Sequence, residues 1–103
     1  MKKPHALIVD DEPSICETLS GVLIDEGWKT ITANSGMAGL EQLKAHPVDV
    51  VFLDVWMKEM DGIETLQLMK EIRPHIPVVI MSGHGSIETA VKVTKLGAFD
   101  FLE

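Results

Sequence analysis

The chain has 103 residues, of which 16 are acidic and nine basic, so its net charge is −7 with neutral histidines. That length holds one domain, and the acidic balance argues against direct contact with nucleic acid, whose phosphates call for clustered Lys and Arg. The single cysteine, Cys16, excludes an internal disulfide and a Cys-cluster metal site. No apolar run approaches the ~20 residues of a membrane span, and the first residues do not read as a signal peptide, so a cytoplasmic setting is expected.

Apolar patterning alternates between strand-like and helix-like runs. Ala6-Leu7-Ile8-Val9 is a continuous apolar run, as in a buried parallel strand. Pro13 and Ser14 open a predicted helix over residues 13–26. Its apolar positions Ile15, Leu19, Val22 and Leu23 follow the spacing of one helix face, and Gly27 ends it. Residues 29–33 are rich in β-branched side chains and read as a second strand. Ser35 is the expected N-cap of a helix to about Ala45, with Leu40, Leu43 and Lys44 near one face, and His46-Pro47 breaks it. Residues 48–53 form the third predicted strand. Asp61-Gly62 leads into a helix that stops before Pro74, and residues 77–81 give the fourth strand. Ser86 is expected to cap a helix to about Leu96, Gly97 ends it, and residues 99–102 give a short fifth strand.

Strands alternating with helices imply an α/β fold with a parallel sheet covered on both faces. In such sheets ligands bind beyond the carboxyl ends of the strands. Asp10, Asp11 and Glu12 follow the first strand, Asp54 ends the third, and Ser82 follows the fourth, with Gly83, His84 and Gly85 behind it. If strands one, three and four are neighbours, carboxylates and one hydroxyl converge at one edge. Asp54 at the end of a buried strand is costly unless paired, and Asp10 and Asp11 nearby raise the cost. A divalent cation resolves it. An all-oxygen set suits Mg²⁺, and the absence of His and Cys argues against Zn²⁺. A carboxylate, a hydroxyl and Mg²⁺ together suit phosphoryl transfer. The plainer account is that an Asp at a strand end caps the next helix. The coincidence of three strand ends sets the two accounts level.

These residues resemble the receiver domains of bacterial two-component response regulators. The matching segments are Ile8-Val9-Asp10-Asp11-Glu12, Leu53-Asp54-Val55-Trp56-Met57 with Met60-Asp61-Gly62, Met81-Ser82-Gly83, and Phe101. They occur in the family's order and spacing over the whole chain. The resemblance implies a flavodoxin-like three-layer sandwich with strand order 2-1-3-4-5, an order the general rule for doubly wound folds also attaches to a member of this family. It implies that Asp54 accepts a phosphoryl group from a sensor histidine kinase or phosphotransfer protein. Mg²⁺ would be held by Asp11, Asp54 and the Trp56 backbone carbonyl, with Asp10 acting through water. Ser82 and Phe101 would form the switch that changes the surface of the fourth helix and fifth strand. No independent substrate turnover is implied, and a homodimer is one arrangement left open. The stretch from Ser82 to Val91, with Leu96 to Glu103, is similar to receivers of the nitrogen-regulation class, which implies transcription control as the output.

Lys58 stands where the family commonly has proline, giving a looser loop or a cation near the phosphate. His84 could adjust water access to the acyl phosphate, although each of these two reads more simply as a solvated side chain. The family's lysine would follow Glu103, and a fifth helix would follow that. Residues 1–103 are therefore expected to be a receiver truncated before Lys-Pro and its last helix, with an apolar stripe left uncovered on the sheet. The reading set against the switch is an interaction module or domain fragment without that lysine. A phosphatase would want an acid where Trp56 stands, and a flavin carrier would want a phosphate-binding loop where Asp10, Asp11 and Glu12 stand.

Overall fold

In a computed structural model, the structure describes residues 3–54, 62–81 and 100–102, the last of these as a strand only. In chain order the elements are β1 (His5–Val9), α1 (Pro13–Asp25), β2 (Lys29–Ala33), α2 (Gly36–Ala45), β3 (Val50–Asp54), α3 (Gly62–Ile72), β4 (Val78–Met81) and β5 (Asp100–Leu102). The strands form one sheet in the order β2-β1-β3-β4-β5. Every neighbouring pair is parallel. The fold is the expected flavodoxin-like sandwich. The helix expected over residues 86–96 lies outside the described residues.

Parallel pairing puts side chains of one parity on one face. Leu7, Val9, Val51, Leu53, Val78 and Ile80 are fully buried beneath α2 and α3, with Leu43, Leu66 and Met69 packed on them. Ala6 and Ile8 face α1, where Cys16 and Leu23 cover them. On that second face β3 and β4 are less enclosed: Val50, Phe52, Val79 and Met81 are half-buried. Burying both faces is what makes the central strands continuous apolar runs in the sequence.

The helix ends follow their residue types. Pro13 sits in the first turn of α1, where its missing N–H is no loss. Gly27 adopts φ 93°, a left-handed conformation that suits glycine, just past the end of α1. Ser35 Oγ accepts a hydrogen bond from the Ala38 N–H at 3.1 Å and caps α2. The basic side chain of Lys70 lies in the last turn of α3 and donates to the Ile76 carbonyl at 2.8 Å, tying the helix to the chain entering β4.

Three expectations shift. The buried face of α1 is centred on Cys16, Leu19 and Leu23, so Ile15 (42% exposed) and Val22 (55%) fall on its flank rather than in the core. The third strand begins two residues later than predicted and includes Asp54. Asp49 breaks the start, because its carboxylate accepts from the His5 N–H at 2.7 Å while its own N–H donates to the His5 carbonyl at 2.8 Å. The fourth strand begins at Val78 because Pro77 has no N–H to give the ladder. Among the described residues, no helix is long and apolar enough to cross a membrane.

Candidate functional site

The site forms where β1 and β3 end side by side. Val9 pairs with Leu53, so Asp10, just past β1, and Asp54, the last residue of β3, stand at the same edge of the sheet. One carboxylate oxygen from each of Asp10, Asp11 and Asp54 can be chosen so that all three lie within 4.8 Å of one another. Asp10 is buried, and Asp11 and Asp54 are half-buried. Glu12, read beside them in the sequence, is not part of this group. It is exposed and serves as the N-cap residue of α1, through its backbone alone. Its carbonyl accepts from the Ile15 and Cys16 N–H groups at 3.1 and 3.3 Å.

Asp10 is held by its main chain and by its carboxylate. Its N–H donates to the Ala33 carbonyl at 3.0 Å, which extends the β1–β2 ladder by one bond. Asp10 Oδ1 accepts from the Glu12 N–H at 2.9 Å, the local turn that Asp side chains favour. Its carbonyl accepts from Asn34 Nδ2 at 3.2 Å and from Cys16 Sγ at 3.5 Å. The side chain therefore does not cap α1, and the capping account does not apply to Asp10.

Electrostatics at this edge are unfavourable without a cation. Burial pushes the Asp10 carboxyl above the ordinary carboxylate range, and the negative charges of Asp11 and Glu12 push it further. Hydrogen bonds from the Glu12 N–H and with the Asp54 side chain oppose that rise. Three clustered acids offering only oxygen fit a hard divalent cation such as Mg²⁺. The nearby thiol does not change this. Burial raises the Cys16 pKa, as does the charge of Asp10, so it stays protonated and acts as a donor rather than a soft ligand.

The residues read from the sequence thus divide. Asp10, Asp11 and Asp54 come together. Trp56, Lys58, Ser82 and His84 lie outside the described residues. Phe101 lies in β5 with its backbone opposite Ile80 of β4, and its side chain is outside the description. The sequence reading did not single out Asn34. The signal available was its position, one residue beyond the last residue of β2, the strand beside β1.

A parallel five-stranded sandwich with an acid cluster at the β1–β3 edge defines a class, the flavodoxin-like receivers. The response regulator receiver domain family matches residues 6–103, and the chain belongs to that family, whose members serve two-component signalling. It is 46% identical over 99 residues to the nitrogen assimilation regulatory protein NtrX of Azorhizobium caulinodans, covering 94% of this chain and 22% of that protein. It is 47% identical over 96 residues to the transcriptional regulatory protein ZraR of Escherichia coli, covering 93% and 22%. The chain spans about a fifth of the length of these relatives. The chemotaxis protein CheY4 of Vibrio cholerae superposes with a TM-score of 0.94 at 27% identity, covering 98% of this chain and 86% of that one.

Proposed function

We propose that the chain is a phosphoryl-accepting switch in which Asp54 takes a phosphoryl group from a sensor histidine kinase or phosphotransfer protein. The observation that carries this reading is the approach of Asp54 to Asp10 and Asp11 at the carboxyl edge of a receiver-type sheet. An Asp54 carboxylate oxygen attacks phosphorus. The O–P bond forms, the P–N bond of the phosphohistidine donor breaks, and the imidazole nitrogen leaves with the electron pair and takes a proton. Asp11, Asp54 and the Trp56 carbonyl would hold Mg²⁺, with Asp10 acting through water. When bound, that ion supplies charge neutralisation at the phosphoryl oxygens. Asp54 must be ionised to attack phosphorus, and Asp10, its neighbour at this edge, serves by facing the cation.

Ser82 is proposed to hydrogen-bond the new phosphoryl group and Phe101 to re-pack in response, altering the surface of the fourth helix and fifth strand. Lys58 and His84 are proposed as modulators of the acyl phosphate. The chain itself turns over no separate substrate. Residues 1–103 are proposed to belong to one receiver unit. By analogy with the NtrX and ZraR relatives, the output is transcription control in the cytoplasm, with no direct nucleic-acid contact from the receiver unit.

The test is incubation with Mg²⁺ and acetyl phosphate, followed by intact mass. The expected result is one added phosphoryl group, absent from Asp54→Asn and absent when EDTA replaces Mg²⁺. No added mass on the parent chain, or the same addition on Asp54→Asn, would overturn the proposal.

A further inference from the structure

We propose that Asn34, with Cys16 as a second donor, is a positioning residue for the acid cluster: its side-chain amide fastens the Asp10 carbonyl and thereby aims Asp10 and Asp11 at the cation. This inference rests on the cation reading of the site given above.

The geometry is that of a clamp on one residue. Asp10 belongs to two peptide planes. The plane before it is fixed by the Asp10 N–H to Ala33 carbonyl bond at 3.0 Å. The plane after it, which it shares with Asp11, is fixed at its carbonyl oxygen by Asn34 Nδ2 at 3.2 Å and Cys16 Sγ at 3.5 Å. A carbonyl has two lone pairs, so both donors can be accommodated. With both planes held, the Cα–Cβ direction of Asp10 is set, and so is the point from which Asp11 starts. The two donors also touch each other, Asn34 Nδ2 lying 3.9 Å from Cys16 Sγ, and the thiol reaches the Ala33 carbonyl at 4.0 Å. Three elements, β1, α1 and the end of β2, thus meet at one carbonyl.

The clamp matters because the cluster pushes itself apart. One carboxylate oxygen from each of Asp10, Asp11 and Asp54 lies within 4.8 Å of the other two, and negative charges that close repel. Without fixed backbone planes, the loop could relieve the repulsion by turning the acids outward, and the cation would then have to gather its ligands at a cost in affinity. Partners just outside a metal's ligands commonly change affinity about tenfold or more when removed. A purely structural bond to a buried carbonyl would lower the melting temperature and leave the affinity of the folded protein unchanged. The two roles therefore separate experimentally.

The measurement is Mg²⁺ titration by calorimetry on the 103-residue chain, with thermal unfolding of each variant in EDTA. The variants are Asn34→Ala, Asn34→Ser, Cys16→Ala and Cys16→Ser. Ser20→Ala is the control, since it removes a side-chain hydrogen bond to Thr30 between α1 and β2, away from the acids. Asn34→Ala is expected to weaken Mg²⁺ binding about tenfold. Cys16→Ala should weaken it less, Cys16→Ser should stay close to the parent because a hydroxyl still donates, and Ser20→Ala should lose only thermal stability. In the metal-free state the Asp11 amide should exchange faster in Asn34→Ala than in Ser20→Ala. Should Asn34→Ala fail to fold, Asn34→Ser carries the same expectation, because its hydroxyl is too short to span the gap. A folded Asn34 variant with the parent's affinity would overturn this inference alone. A parent that takes up no Mg²⁺ would overturn the site reading and this inference with it.

Discussion

Gly39 of α2 lies so close to Val9 of β1 that a Cβ at residue 39 would stand 2.8 Å from Val9 Cγ2 and 3.2 Å from Val9 Cγ1. Val9 is fully buried and β-branched, so its methyls have no free rotamer to retreat into. The glycine sets the distance between α2 and the strand that carries Asp10. Gly39→Ala gains helix propensity of about 1 kcal/mol and meets an overpacking cost of about 1–3 kcal/mol. The expected outcome is a net loss of about 1 kcal/mol in urea unfolding at unchanged m-value. A gain in stability would show that α2 can move outward freely.

Asp10 gives the pH prediction. Its folded pKa is raised, chiefly by burial and then by the charges of Asp11 and Glu12. A carboxyl with a raised pKa binds its proton more tightly folded than unfolded. Metal-free stability therefore falls as pH rises from the ordinary carboxylate value through the raised one, and the penalty is complete above it. Asp10→Asn removes the charge and keeps an oxygen to accept from the Glu12 N–H. In EDTA it should melt above the parent at pH 7, with the difference closing as pH falls below the ordinary carboxylate range. Parallel melting curves across that range would contradict the assignment.

Adding Mg²⁺ should act on the same strain from the other side. At a hundredfold excess over its Kd, a ligand selective for the folded state stabilises by about 2.7 kcal/mol. For a domain of this size that is a rise of roughly 10 °C or more. The rise should be much smaller in Asp11→Ala and Asp54→Ala, and chelation should reverse it in the parent. Ca²⁺, with its longer bonds and higher coordination number, separates a cluster tuned to small octahedral ions from one that merely attracts charge.

Ser35 tests a purely local element. Its hydroxyl accepts from the Ala38 N–H and caps α2. Ser35→Ala should cost about 1 kcal/mol. It should not alter Mg²⁺ affinity, because α2 contributes no side chain to the acid group.

The alternation of strands and helices and the strand ends that carry the acids are legible in the order of residues along the chain, whereas the strand order follows only from the resemblance to receiver domains. Strands buried on both faces read as runs such as Ala6 to Val9, and the acids follow those runs directly. Ser35 and Gly27 announce their helix boundaries by residue type. What stays hidden depends on distance through space. Ile15 and Val22 share the helical spacing of Leu19 and Leu23, and only the docking angle of α1 turns them outward. Asn34 looks like any polar residue after a strand until β2 lies beside β1. Glu12 looks like a third acid until the helix begins at it. Gly39 carries no mark of the valine it must clear.

The central place of β1 has a kinetic meaning. Its register partners are Lys29 to Ala33 on one side and Val50 to Leu53 on the other, so neither partner is local. Asp54 meets Asp10 and Asp11 only once β3 has docked on β1, a contact between segments far apart along the chain. Interactions absent from the folding transition state slow unfolding and leave the folding rate nearly unchanged. An ion held by Asp10, Asp11 and Asp54 would lengthen the lifetime of the finished domain and do little to hasten its assembly.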